Sequence, residues 1–174
     1  GYSDKSPFFI HLSDSYQCIH QIFLFSLLYM LSKTFAYALR AVTYVALHGK
    51  EGKKINLVEL SENINVPHHF LGKIMQDLVK NNIVRSLKGP GGGFWADDAT
   101  QNLSAFEILK VTDGKAILNH CLMGKKNCSS AQPCPLHHDY AACRDTLFDT
   151  LRKTSITALA TKVENGEIFL GEGH

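Results

Sequence analysis

The sequence predicts a mainly α-helical protein: a winged helix-turn-helix domain with a two-stranded wing, followed by a long C-terminal helix that pairs two copies of the chain. Three observations predict it. A short apolar-periodic segment and an amphipathic helix meet at a tight turn ending in Pro67. Directly behind them a glycine-rich turn separates two short strand-like runs. Further on, Leu136, Tyr140, Cys143, Leu147 and Leu151 recur every three or four residues, the spacing of a helix-helix seam.

Composition sets the bounds. At 174 residues, 45% hydrophobic and with five prolines, the chain has the make-up of an ordinary globular protein of one or two small domains. A net charge of +2 does not by itself advertise a polyanionic partner, so the placement of charge matters more than its sum. Residues 30–100 hold nine Lys or Arg against six Asp or Glu, whereas residues 101–174 hold eight of each. The first half is the basic one.

Residues 1–29 read differently from the remainder, with Tyr2, Phe8, Phe9, Tyr16, Phe23, Phe25 and Tyr29 crowded among a few polar residues; the first methionine is Met30. The apolar run Ile22 to Leu31 is about ten residues, half of the roughly twenty a bilayer span requires. It has neither the basic start nor the small-residue cleavage site of a signal peptide. Met30 is therefore expected to be the natural start, residues 1–29 a non-native or disordered extension, with an amphipathic anchor as the alternative. No membrane span and a cytoplasmic location are expected.

Residues 30–100 form the predicted DNA-binding-type unit. From Ser32, the residues Phe35, Ala38, Leu39, Val42, Val45 and Ala46 fall at helical spacing, and Gly49 ends the helix. Leu57, Leu60 and Ile64 mark a short second helix. After the turn Asn63–Val66, Pro67 suits a first helical turn. The helix that follows places Phe70, Leu71, Ile74, Met75, Leu78 and Val79 on one stripe and His68, His69, Gly72, Lys73, Gln76, Asp77 and Lys80 on the other. Ile83 to Leu87 and Phe94 to Ala96 then read as two strands around Lys88-Gly89-Pro90-Gly91-Gly92-Gly93. A phosphate-binding loop would need a G-K-[ST] ending and a helix, and a strand follows instead.

Residues 101–137 are expected to carry a linker helix and a ligand loop, and residues 138–174 the seam helix and a tail. Ser104 with Glu107 three positions on is a capping-box pattern opening the linker helix towards Gly114. Cys143 lies on the seam and reads as a packed core thiol.

Between the two helices, Cys121, Cys128, Cys134 and His137 form a C-x6-C-x5-C-x2-H pattern within a polar stretch broken by Gly124, Pro133 and Pro135. Thiolates select zinc, copper(I) or iron–sulfur clusters over hard cations. A structural zinc site usually rests on a C-x2-4-C knuckle, which is missing; gaps of six and five suit a wider object. The competing readings are ordinary buried thiols and disulfides. A Pro-flanked polar loop is a poor core, and an odd total of five cysteines (Cys18 and Cys143 being the other two) argues against a closed disulfide framework. No G-x-S-x-G, H-E-x-x-H or dinucleotide fingerprint is present, so an enzyme is not expected.

The segments Leu31-Ser32-Lys33 and Tyr37-Ala38-Leu39-Arg40-Ala41, the wing Lys88 to Gly93 and the three-cysteine loop together resemble the Rrf-two family of bacterial regulators, from Met30 to about Leu170. The resemblance implies a homodimeric transcriptional regulator, probing near-palindromic double-stranded DNA, whose affinity for promoters follows the occupancy of an iron–sulfur cluster. A cluster-free regulator that responds through cysteine oxidation or a partner enzyme is the alternative. The sequence departs from the family at Pro67, where many members have a capping serine; at Gly72, where a cluster-sensing member has glutamate; and at Lys88, where the wing usually carries arginine.

On that resemblance His68, His69, Lys73 and Gln76 are expected at the floor of the major groove. Lys33, Arg40, Lys80 and Arg85 are expected on phosphates, and Lys88 with Gly91 and Gly92 at the wing tip. Four-iron members can take an acidic ligand from the first helix of the partner, a position Ala36 occupies here. The expected ligands are therefore Cys121, Cys128, Cys134 and His137, holding a [2Fe–2S] cluster, with a [4Fe–4S] cluster as the alternative and His138, then His120, as rivals to His137.

Overall fold

The computed structural model describes residues 31–49 and 52–171. The expectations for residues 1–29, and Cys18 with them, lie outside the described residues.

Helix α1 (Lys33–His48) begins where the Ser32 hydroxyl accepts a hydrogen bond from the Phe35 amide at 3.0 Å. It buries Phe35, Ala38, Ala41, Val42, Val45 and Ala46, so one continuous apolar face becomes the axis of the core. Helix α2 (Leu57–Asn63) is capped by Asn56, whose side-chain oxygen accepts from the Val58 and Glu59 amides. Asn65 then reverses the chain at a φ of 51°, while Ile64 and Val66 are buried on either side of it.

Helix α3 (His68–Lys80) buries Leu71, Ile74, Met75 and Leu78. Two details differ from the sequence-based expectation. Pro67 stands just ahead of the helix with ψ at 130° and supplies no side-chain cap. Phe70, expected on the apolar stripe, is 56% exposed. It lies one turn before Ile74, the most exposed of the four residues that α3 buries, and so falls outside the arc that meets the core.

The wing is β1 (Arg85–Leu87) paired antiparallel with β2 (Gly93–Trp95), with Ser86 opposite Phe94. β1 is shorter than expected, since Ile83 and Val84 lie outside the ladder with their side chains buried, and β2 is shifted by one residue, with Gly93 in the ladder and the buried Ala96 outside it. Ile55 exchanges both backbone hydrogen bonds with Phe94, at 2.9 and 2.8 Å, and thereby fastens the wing to the start of α2. A Cβ on Gly93 would stand 2.6 Å from the Ile55 carbonyl oxygen, so this close approach requires glycine.

Helices α4 (Asp98–Gln101) and α5 (Ala105–Thr112) and a 3-10 turn (Lys115–Asn119) lead into an irregular stretch that ends at α6 (His137–Lys153). The capping box does not form. Ser104 makes no side-chain cap bond and pairs instead with Ser155 in a β-bridge, while the Glu107 carboxylate pairs with Lys110. The expected C-terminal tail contains a further helix, α7 (Ile156–Glu164), capped by Ser155 and packed on α1 through Ile156 and Ala160. From Ser32 onward the chain is one compact unit.

Within α6, the residues His137, Tyr140 and Phe148 are buried, and Phe148 meets the Phe106 ring of α5 edge-on at 5.6 Å. The predicted seam runs beside this inner face. Of the seam residues, Tyr140 is buried, Leu136 is exposed, and Cys143, Leu147 and Leu151 are half-buried in the single chain.

Candidate nucleic-acid interface and thiol pocket

Helix α3 owes its exposed face to the same periodicity that buries Leu71, Met75 and Leu78. His68, His69, Lys73, Gln76 and Lys80 are all exposed on it. Lys33, His69 and Lys73 border one cleft of about 580 Å³ between the first turn of α1 and the N-terminal half of α3. Gln76, Lys80 and Lys88 border a second, of about 350 Å³, between α3 and the wing. Six of the expected contacts thus flank α3 on its two sides. Gly91 is exposed in the turn at the end of the wing, and Gly92 is half-buried.

Arg40 and Arg85, expected on phosphates, have protein partners. Arg40 donates to the Ile64 carbonyl at 3.4 Å and lies over the Tyr37 ring at 5.7 Å, which ties α1 to the end of α2. Arg85 donates to Asp97 at 2.6 Å and to Asn82 at 3.3 Å. The Asp97 carboxylate accepts from the Thr100 amide at the start of α4, and this bond, with the Arg85 guanidinium, lowers its pKa to about 2. The residue that sequence periodicity missed is Phe70. In the first turn of α3, with its ring against His69 at 4.2 Å, it offers an apolar surface of the kind that meets thymine methyl groups.

The thiol pocket is built by the stretch between the 3-10 turn and α6. The Gly124 amide donates to the Cys121 carbonyl in a tight turn, with φ at 73° on Gly124. Lys125 donates to the Gln132 carbonyl at 3.0 Å, and the Cys128 amide donates to the Asn119 carbonyl at 3.0 Å. These bonds fold the loop over itself. Cys121 and Cys134 are buried with their sulfurs 4.0 Å apart, and Cys128 Sγ lies 3.2 Å from His137 Nδ1. His137 is 8% exposed, whereas His138 is exposed and meets it edge-on at 5.2 Å. His120 is exposed.

The electrostatics favour anionic sulfur at Cys121. Burial alone would raise its pKa, but the Lys125 and Met123 amides, the Cys134 thiol and the Lys125 charge bring it below the ordinary thiol value. Arg144 is shifted upward: burial opposes this, and the hydrogen bond to Asp145, with the influence of the Cys128 sulfur, overcomes it. Burial pushes the Tyr140 phenol up, offset by the Arg144 charge and reinforced by the Cys128 and Cys121 sulfurs. Cys143, outside the pocket, is raised by burial and then by Asp139.

The four donors form two pairs, Cys121 with Cys134 and Cys128 with His137. Two thiolates on one tetrahedral ion at ~2.3 Å stand about 3.8 Å apart, close to the 4.0 Å observed for the first pair. Among the described residues no three His, Cys, Asp or Glu side chains converge on one metal position. The two soft pairs meet where the otherwise exposed loop joins α6.

A winged helix-turn-helix carrying this loop has known relatives. Residues 31–162 match the Rrf2 family, described as iron-dependent transcriptional regulators. The chain belongs to this family. It is similar to the HTH-type transcriptional regulator IscR of Erwinia tasmaniensis, 28% identical over 134 residues that span 77% of this chain and 78% of that protein. Among solved structures it is similar to T. potens IscR, with a TM-score of 0.62 at 16% identity, covering 79% of this chain and 90% of that one. The global cysteine regulator CymR of B. subtilis gives a TM-score of 0.60 at 19% identity, covering 75% and 95%. This Rrf2 protein is thus a winged-helix, DNA-binding transcriptional regulator, and its relatives are regulators and not enzymes. Among its described residues no helix is long and apolar enough to cross a membrane.

Proposed function

We propose that this Rrf2 regulator acts as a homodimer on near-palindromic DNA, most simply as a repressor, and that a [2Fe–2S] cluster held by Cys121, Cys128, Cys134 and His137 sets its affinity for promoters. The observation that carries the proposal is the two-by-two arrangement of those donors. Each iron of a two-iron cluster takes two protein ligands, whereas a four-iron cluster takes one per iron and would separate the pairs. The similarity to IscR agrees with it.

When bound, the cluster supplies an iron- and redox-dependent crosslink between the loop and α6. The protein provides the route to DNA. His137 is the first residue of α6, and Cys121 follows the turn after α5, so holding the two pairs together holds α6 against α5. Asp113 at the end of α5 bonds Ser32 at the start of α1, and α1 packs on α3. On α3, His68, His69, Lys73 and Gln76 meet base edges in this proposal, while Lys33, Lys80 and Lys88 meet phosphates and the minor groove. Arg40 and Arg85 contribute by holding α1, the wing and α4 in place.

A cluster-free thiol regulator is the second reading, favoured by the 4.0 Å approach of the Cys121 and Cys134 sulfurs and by the CymR-like fold. Visible absorption and Mössbauer spectra of protein purified without oxygen separate the two. The proposal expects a two-iron signature that is labile in His137→Ala and unchanged in the exposed His138→Ala. Bare thiols, an intact four-iron cluster, or equal loss in both variants would overturn it. Selection from a random duplex library with loaded and metal-free protein would then show which form binds DNA.

A further inference from the structure

We infer that Tyr140 and Arg144, one helical turn apart on α6, are the hydrogen-bond donors to the ligand sulfurs of the thiol pocket and set the reduction potential of the cluster held there. This rests on the cluster reading above. Three observations carry it. Tyr140 is 6% exposed, and its hydroxyl is the one buried side-chain nitrogen or oxygen without a hydrogen-bond partner among the described residues. A buried phenol is seldom left unpaired, because the desolvation of its O–H is then uncompensated. Arg144 is largely buried at its side chain, 13% exposed, and donates to Asp145 at 3.1 Å, with the Cys128 sulfur among the groups that raise its pKa. Its guanidinium lies 5.9 Å from the centre of the Tyr140 ring.

The helix explains the convergence. His137, Tyr140 and Arg144 are at i, i+3 and i+7, which puts a ligand and two donors on one face of α6. Burial raises the Tyr140 pKa, the Arg144 charge opposes this, and the Cys128 and Cys121 sulfurs, one from each pair, add to it. A neutral thiol is a weak acceptor, whereas a metal-bound thiolate accepts strongly from O–H and guanidinium N–H groups. Tyr140 therefore has no adequate acceptor until the sulfurs carry charge. Donors to cluster sulfurs favour the reduced, more negative state, so both residues act by raising the potential. They are positioning residues, since neither supplies a ligand.

The test is a mediated redox titration of the loaded full chain, followed by visible absorption and electron paramagnetic resonance, for wild type, Tyr140→Phe, Arg144→Gln and Arg144→Lys. Tyr140→Phe and Arg144→Gln are each expected to disfavour reduction by about tenfold, a fall of about 59 mV for one electron, with partial recovery in Arg144→Lys. Thermal unfolding of metal-free Tyr140→Phe serves as the control. It should be as stable as wild type or more so, because an unpaired hydroxyl has been removed. Potentials unchanged in Tyr140→Phe and Arg144→Gln, with the cluster intact, would overturn the inference alone. Wild-type protein that takes up no cluster on reconstitution would overturn the cluster reading and this inference with it.

Discussion

The Ser32 hydroxyl donates to Asp113 Oδ2 at 3.0 Å while the Ser32 backbone N–H donates to Oδ1 at 3.1 Å, so the carboxylate ending α5 clasps the residue that begins α1. The same carboxylate accepts from the Thr112 hydroxyl at 2.7 Å, and the Ser32 oxygen accepts from Phe35. Asp113→Ala should therefore cost about 1.5–3 kcal/mol in denaturant unfolding, the range for hydrogen bonds to a charged group. In a cycle with Ser32→Ala the double variant should lose less than the sum of the singles, because one contact is counted twice. On the proposed route, Asp113→Ala should also narrow the difference in DNA affinity between loaded and metal-free protein. Additive stabilities would remove the clasp from the account.

Asp97 predicts the acid limb of the stability curve. Its pKa is lowered from an ordinary 3.8 to about 2, so the folded state holds the ionised form more firmly than the unfolded chain does. The stability it contributes is complete above about pH 3.8 and is lost as pH falls through about 2. Asp97→Asn should flatten the decline in melting temperature across that window and lower stability near neutrality. Asn still caps, so the neutral-pH loss should be smaller than the ~1 kcal/mol typical of cap removal by Ala. An unchanged acid limb would show that the Arg85 and Thr100 contacts contribute little.

Lys73 and Arg40 should respond oppositely to truncation. Lys73 is exposed on α3, and its replacement by Ala should weaken binding to a selected duplex and reduce the salt slope by about 0.9 with little change in melting temperature. Arg40 holds the Ile64 carbonyl and the Tyr37 ring, so Arg40→Ala should lower stability first. Equal salt slopes for wild type and Lys73→Ala, measured by fluorescence anisotropy over a salt series, would take Lys73 off the phosphates.

Leu147 and Phe148 are neighbours with different predicted duties. Phe148 is 3% exposed against Phe106, and Phe148→Ala should cost about 3–5 kcal/mol in any assembly state. Leu147 is half-buried on the seam, so Leu147→Asp should leave the single chain folded and place a charge in the contact between copies. Light scattering should then show monomers. A persistent Leu147→Asp dimer would put the seam elsewhere on the surface.

The winged helix-turn-helix was legible in the sequence because its signals are local. Apolar spacing in α1 and α3 and the Gly89–Gly93 run each act within a few residues of themselves. The donor types at Cys121, Cys128, Cys134 and His137 were legible for the same reason, since a ligand's softness belongs to the residue. Partner choice is not local, and only the tertiary structure decided it. Asp97 and Ile64 draw Arg85 and Arg40 towards the protein, the limits of the core leave Phe70 outside, and α1 receives an α7 that no cap-to-cap pattern had announced. The thiol loop shows the division most plainly. Chain order is Cys121, Cys128, Cys134, His137, yet the pairs in space are Cys121 with Cys134 and Cys128 with His137. Backbone bonds within the loop, and the start of α6 against it, bring those atoms together, and neither is written in the spacing of the cysteines.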